Sequence, residues 1–484
     1  IEFVDGTESD LGSINDIDLT IEAAGPTDVL ELSGEAEYDV VDGRITLILN
    51  PAVFPAGDDV YEFSIKAEAP GYLPINKRVA FTPDEKTKVV RINMVDKSNP
   101  PAGVGYRESN VDLNDNNRLI SDLVIEIPKG GDKKTASQLK IDAGTEFIDE
   151  NGNIIEGDEL LVEVMHFDPS GVSSLESFPG GFTPEVVSLE DGSIAGDIYF
   201  QSAGFVSIDM FVDGVEVKEF SDPISVTMDI EPGAVNLDDA PVQVGDEIPV
   251  WSYEVETGDW AFEKIGVVKN TANGLQLTFE AEHLSWWNID YYGYRCSYGP
   301  EVTITTNATS VDYHYAELEY ANGNLFRTRI LPVYNNNGVR FYNMPQDRQF
   351  RLKIYQGQSW YNKGAIIAES GLFGCGQDAN VNITAPAVEE ICVDVDIVCE
   401  NDNTIISPNA SVYYRDFDGT SGYGWWRYLG FVYSGEACTT SLQLGTTYEF
   451  AVGYKGKFYF SEYTIETDNI VVNPGIDCDD FDIE

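Results

Sequence analysis

Tyr61-Glu62-Phe63-Ser64-Ile65-Lys66-Ala67-Glu68-Ala69-Pro70-Gly71-Tyr72 alternates apolar or aromatic side chains with polar ones and then turns. A period of two puts Tyr61, Phe63, Ile65, Ala67 and Ala69 on one face of a half-buried strand, and Pro70-Gly71 supplies the dihedral angles a tight turn needs. Outward from it lie runs of the same kind: Val29 to Leu32, Ile45 to Leu49, Arg78 to Phe81 and Val89 to Val95. Asp42-Gly43, Pro51 and Pro83-Asp84 separate them. Residues 17–98 are therefore expected to form a small seven-strand sandwich. No window holds helical periodicity for about twelve residues. The class that follows is all-β, with tandem Ig-like or transthyretin-like sandwiches strung as beads or compactly stacked.

The chain has 484 residues, enough for about three or four domains. Its 83 Asp+Glu against 29 Lys+Arg give a formal net charge of −54, yet 43% of residues are hydrophobic, so the acid sits on a globular protein. A surface this negative repels phosphate backbones and anionic headgroups, which excludes nucleic acid as the expected partner. No run approaches the roughly 20 apolar residues of a membrane helix. The start at Ile1, without Met or an apolar leader, is expected to reflect removal of an export signal.

Residues 1–16 are acidic and are expected to be a flexible tether. Asn99-Pro100-Pro101-Ala102-Gly103 cannot sit in a central strand and marks a linker. A larger β module of one or two sandwiches is expected over 99–292, followed by sandwiches over 293–389 and 390–484. These last two read as a tandem repeat. Val311, Tyr313 and Tyr315 correspond to Val412 and Tyr414, and Leu352 to Gly357 corresponds to Phe450 to Gly456.

The six cysteines, Cys296, Cys375, Cys392, Cys399, Cys438 and Cys478, all fall in these two modules, without a C-x-x-C. Their even count and β context read as a disulfide framework in an oxidising compartment. Six cysteines allow fifteen pairings; the module boundaries favour Cys296 with Cys375, Cys392 with Cys478, and Cys399 with Cys438.

Asp112, Asn114, Asn116 and Asp122 offer oxygen ligands with the spacing that opens a calcium loop. Asn117 replaces the usual Gly, Leu123 stands where a Glu would complete the set, and a polar turn is the plainer reading. Calcium is the sole cofactor considered. The cluster Asp416-Phe417-Asp418-Gly419 and the acids after Cys478 read as solvated. No G-x-S-x-G, P-loop or H-E-x-x-H occurs, and His166, His283 and His314 stand far apart. His283, beside Trp286-Trp287, reads as a packed histidine. No carboxylate pair is singled out for glycoside hydrolysis, and no enzymatic activity is expected.

The aromatics of the C-terminal half are the candidate binding residues: Trp360, Tyr361, Tyr423, Trp425, Trp426 and Tyr428. Aromatic faces stack on sugars and dominate protein interfaces. Gly422-Tyr423-Gly424-Trp425-Trp426 is glycine-rich and is expected to be an exposed loop, with ordinary sandwich core as the alternative.

The first module, through its strand order and Ala69 to Pro74 (APGYLP), resembles the carboxypeptidase regulatory-like, or transthyretin-like, domains of exported Bacteroidota proteins. Such domains are scaffolds. Region 99–292 resembles the extracellular module of cartilage intermediate layer proteins, on Ile127-Pro128, Gly144-Thr145, the hairpin Val250 to Trp260 and the closing Glu282 to Asp290. That likeness implies tryptophans packed across the hairpin, with His283 and Trp286 tucked beneath, and a role in adhesion or scaffolding. As a whole the chain resembles surface-exposed Bacteroidota lipoproteins. The likeness implies a lipid anchor upstream of residue 1, a place on the outer face of the outer membrane, and service as an interaction subunit. Its partners would be an outer-membrane β-barrel protein and associated lipoproteins in barrel assembly, secretion or nutrient uptake. The alternative is a glycan-binding surface protein; glycoside cleavage is a third and remoter class.

Overall fold

The computed structural model describes the chain except residues 8–13, 15, 32–35, 41–42, 58, 84–87, 178–181, 183, 185, 256, 297, 309–310, 361–362, 385–389, 400–403, 418–421, 433–434, 455–456 and 477–484. The described residues form strands throughout, and the single helix among them, α1 (Val172–Glu176), has five residues. The fold is all-β, built of tandem sandwiches. Two compact units emerge: Ile1–Met94 with Tyr298–Tyr342 and Asp347–Glu484, and Val95–Ser297 with Asn343–Gln346.

The first unit opens with β1 (Glu2–Asp5), β2 (Asp18–Glu22), β3 (Val29–Glu31), β4 (Leu47–Leu49), β5 (Tyr61–Glu68), β6 (Ile75–Phe81) and β7 (Arg91–Met94). The alternating stretch is β5, antiparallel to β2 and β6, with Phe63, Ile65 and Ala67 buried as the period of two requires. The Tyr72 amide donates to the Ala69 carbonyl, closing the turn, and Gly71 takes a φ of 83° that other residues resist. The tether expectation is corrected here. Glu2–Asp5 is a buried strand pairing in parallel with β7, and Phe3 and Val4 lie in the core. Glu2 tolerates burial because Arg91, its register partner, donates to its carboxylate.

The second unit holds β8 (Val104–Asp112), β9 (Leu123–Ile127), β10 (Ser137–Ile141), β11 (Phe147–Ile148), β12 (Glu159–Phe167), β13 (Val187–Ser188), β14 (Ile194–Ala195) and β15 (Ile198–Val212). It continues with β16 (Val215–Glu216), β17 (Glu219–Asp229), β18 (Glu247–Glu254), β19 (Asp259–Val267), β20 (Lys269–Thr271), β21 (Gly274–His283) and β22 (Trp286–Tyr294). One sheet runs β20-β21-β17-β10-β9 with β11 on β17; the other runs β14-β13-β19-β18-β22-β15-β12-β8 with β16 on β15. A single core joins them. Leu139, Val226, Met228 and Phe279 of the first sheet pack with Leu160, Val162, Ile208 and Trp287 of the second, so the region is one sandwich. Across the hairpin β18–β19, Tyr253 stands opposite Trp260, with ring centroids 4.8 Å apart.

The first unit resumes with β23 (Glu301–Thr306), β24 (Asp312–Tyr320), β25 (Leu325–Val333), β26 (Asn337–Arg340), β27 (Gln349–Tyr355), β28 (Ile366–Glu369), β29 (Phe373–Gly374) and β30 (Ala379–Ile383). The last module has β31 (Ile391–Val395), β32 (Ile397–Cys399), β33 (Ile405–Ile406), β34 (Ala410–Phe417), β35 (Gly422–Val432), β36 (Glu436–Thr439), β37 (Thr447–Tyr454), β38 (Lys457–Thr464), β39 (Asn469–Val472) and β40 (Gly475–Ile476). The tandem repeat is visible in two sheets of each module, the last adding a third, β33-β32-β40. Sheets β26-β23-β30 and β25-β24-β27-β28 of one module match β36-β31-β39 and β35-β34-β37-β38 of the next. The first module shares the frame: β1 pairs in parallel with β7 as β23 does with β30 and β31 with β39, and β2-β5-β6 repeats β24-β27-β28.

Candidate interaction site

The expected aromatic platform is the first feature the structure relocates. Gly422 to Val432 is the strand β35, antiparallel to β34, and not a loop. Trp426 and Tyr428 are each only 6% exposed. Trp426 meets the Phe460 ring and the Arg415 guanidinium, 4.5 Å from its ring centroid. Tyr428 packs edge-on to Tyr313 at 4.7 Å, and its amide and carbonyl are both held by the Gln358 side chain. Arg44, from the first module, is 2% exposed and lies over Tyr413 at 4.0 Å and Phe458 at 4.7 Å. A desolvated guanidinium on aromatic faces contributes about 2 kcal/mol. Asp312 accepts from Thr439, Thr440 and Ser441 beside this cluster. These aromatics bind three modules of the first unit together. Trp360 is half-buried; Tyr361 and the side chains of Tyr423 and Trp425 lie outside the described residues.

The proposed cation loop also resolves into a turn. Asn114 Oδ1 accepts from the amides of Asn116 and Arg118, Asn117 takes a left-handed φ of 59°, and Asp122 Oδ1 accepts from Ala143 N. Asp112 and Asp122 line one depression, but Asn114 and Asn116 do not. The Asn114 side-chain oxygen is thus engaged by the backbone of its own turn.

Two expected disulfide pairings are corrected. Cys392 bonds to Cys438, directly opposite it across β31 and β36, and not to Cys478; Cys399 is thus not the partner of Cys438. Sequence spacing gave no register, and the register decides the pairing. Cys296, Cys375 and Cys399 are also disulfide-bonded, and Cys478 lies outside the described residues. Glu436 stands beside Cys392 and Cys438, but both sulfurs are consumed by the bond.

The histidines occupy structural positions. His166 is fully buried against Thr135 Oγ1 at 2.9 Å, and burial lowers its pKa to about 4, so it stays neutral. At His283, Ser252 Oγ donates to Glu263 Oε1 at 2.6 Å while His283 Nε2 lies 3.2 Å from the same oxygen. The carboxylate stands between hydroxyl and imidazole, the reverse of the order that would let the imidazole take the hydroxyl proton. The Glu263 hydrogen bond raises the His283 pKa. His314 Nδ1 faces the Tyr355 carbonyl at 3.0 Å.

One open edge of the second unit is at β8. Among the described residues β8 pairs only with β12 and β9 only with β10, so free edges of both sheets run side by side. Among the described residues, no backbone hydrogen bond leaves the outer edge of β8 between Gly105 and Asp112. Residues directly opposite in an antiparallel pair share a face. Arg107, Ser109 and Val111 stand opposite Val164, Val162 and Leu160 and therefore face the space between the sheets. A stripe of Gly105, Arg107, Ser109 and Val111 carries too little apolar bulk to close that gap. Gly105 is required where β9 approaches, since a Cβ there would lie 2.5 Å from the Ile127 side chain.

Two depressions follow along β8. One, of about 420 Å³, is lined by Lys97, Arg107, Asp132 and Lys133 with Pro101 and Ile127. Its charged side chains sum to +2 on a chain of net charge −54. Lys97 is paired with Glu163 at 2.8 Å, whereas Arg107 makes no ion pair among the described residues. The other, of about 320 Å³, is lined by Asp112 and Asp122 with Ile120 and Leu123. Ile120 is 60% exposed. Neither depression was legible in the sequence as a site, because an edge strand is defined by long-range pairing.

No family model matches the chain. Among solved structures, it is similar to the shaft pilin SpaA of Lactobacillus rhamnosus GG (9% identity, 37% of this chain and 97% of that one, TM-score 0.17). A streptococcal ancillary pilin (9%, 49% and 93%, 0.14) and the pilus backbone RrgB of Streptococcus pneumoniae (10%, 53% and 92%, 0.13) are comparable. Scores this low decide nothing about function, and the all-β class rests on the strands themselves. No helix is long and apolar enough to cross a membrane among the described residues.

Proposed function

We propose that the chain is a non-catalytic surface lipoprotein. In this reading it is exported, anchored by lipid upstream of Ile1 on the outer face of an outer membrane, and serves as an interaction subunit of a β-barrel complex. The observation that carries the choice of a protein partner over a glycan is the fate of the aromatics. Trp426 and Tyr428, which would have made a sugar platform, are spent inside the first unit, while the second unit leaves a charged sheet edge unpaired. The disulfide Cys392–Cys438 agrees with an oxidising compartment. The test is affinity capture with the full chain from detergent-solubilised outer membranes. Recovery of an integral barrel protein in stoichiometric amount is expected. Recovery of the bait alone, with release of reducing sugar from a polysaccharide by the same preparation, overturns the proposal.

A further inference from the structure

We propose that the free edge of β8 receives an extended peptide segment of a partner protein as an added strand, with the segment's acidic residues at the Arg107 end. This deepens the proposed function and rests on it. Three features of the edge select a peptide strand. First, the unpaired outer edge of β8 runs from Gly105 to Asp112, about 26 Å at the usual rise, and repeats donor and acceptor at the spacing only another strand matches. Second, the two depressions beside that backbone differ in charge, the first holding three cations with Asp132 and the second only acids. Lys97, Arg107 and Lys133 gather at the start of the strand, and Asp112 and Asp122 gather at its end. A segment with carboxylates toward one end and cations toward the other meets opposite charge at both, which fixes its direction as well as its register. Third, Ile120, which lines the acidic depression, offers apolar surface there, against which a side chain of an added strand can be buried.

Arg107 is the anchor. It faces the inter-sheet gap, it is exposed, and its planar fork of donors suits a carboxylate in two parallel hydrogen bonds. Glu163 already occupies Lys97 and Asp132 lies 3.9 Å from Lys133, so Arg107 is the cation the incoming acid meets first. Gly105 keeps β9 close beneath the edge, so that the inserted strand lies over a floor of Ile127.

The probe is a display library of random twelve-residue peptides selected on the immobilised full chain and counter-selected on Arg107→Glu. Recovered peptides are then synthesised and measured by fluorescence anisotropy. Expected are sequences with Asp or Glu gathered at one end. They should bind Arg107→Glu about tenfold more weakly, a loss of one charge-assisted contact. Exchange of their acids for Arg should restore binding to that variant, and N-methylation of alternate amides should abolish it. Circular dichroism of Arg107→Glu should match the wild type, since the side chain is exposed. Peptides indifferent to Arg107→Glu or to N-methylation overturn the proposal. So does Arg107-dependent binding of polygalacturonate with no peptide selected, which would assign the edge to an acidic glycan. Bound peptides recovered cleaved would overturn the non-catalytic reading and leave the site standing. A failed selection beside a successful barrel capture would overturn the site and leave that reading standing.

Discussion

Asp290 is fully buried on β22 and accepts hydrogen bonds from Asn288 Nδ2 and the Ala203 amide. Burial is the largest influence on it and lifts its pKa to about 8, although these hydrogen bonds pull the other way. The side chain is therefore mostly neutral near pH 7. Its folded pKa lies above its unfolded value, so the folded state holds the extra proton between about pH 4 and pH 8, and stability falls as pH rises through that window. Asp290→Asn removes this loss. Rotation of the Asn288 amide then turns its Oδ1, which has no hydrogen-bond partner in the structure, toward the new donor. The variant is expected to match the wild type near pH 4 and to gain in urea midpoint up to about pH 8. A constant offset across that range would show that the carboxyl does not titrate there. Nothing local marks Asp290 in the sequence. Ser202 and Ala203, which hold it, sit at a bulge on β15 nearly ninety positions away, whereas the alternation of Tyr61 to Ala69 is wholly local and was readable.

At the scale of elements, the first strand of each repeated module is fixed to its antiparallel neighbour by different chemistry at corresponding places. Glu2 and Arg44 meet in a backbone β-bridge, Glu301 pairs with Arg340 at 2.6 Å, and Cys392 is bonded to Cys438. The covalent staple closes a 46-residue separation and is worth about 3–4 kcal/mol through the entropy of the unfolded chain; a partly exposed ion pair is worth about 1 kcal/mol or less. Replacing Cys392 and Cys438 together by Ala should therefore lower the denaturation midpoint of the first unit several times more than Glu301→Gln. Equal effects would show that the staple acts only as packing. The strands and the tandem repeat were legible because alternation and turn residues are local signals. The shared frame of the first module was not, because the buried strand β1 carries Glu2 and Asp5 and reads as acidic tether until Arg91 is seen beside it. The fate of Trp426 was hidden for a related reason. Alternation says that a side chain is on one face of its sheet, but not that another module covers that face.

For the whole molecule, the sequence correctly limits the possibilities: an acidic, cystine-bearing β protein with no catalytic motif. It does not say where such a chain meets a partner. The proposed place is the outer edge of β8, since the first unit buries Trp426 and Tyr428 while that edge lies open between a basic and an acidic depression. The most direct measurement places a benzophenone side chain at Glu108, which is exposed on β8, and in parallel at Asn270, which is exposed on β20 at the far edge of the other sheet. Irradiation of intact cells carrying each form should yield a covalent adduct with one envelope protein from position 108 and none from position 270. Adducts from position 270 alone, or the same adducts from both, would contradict the account.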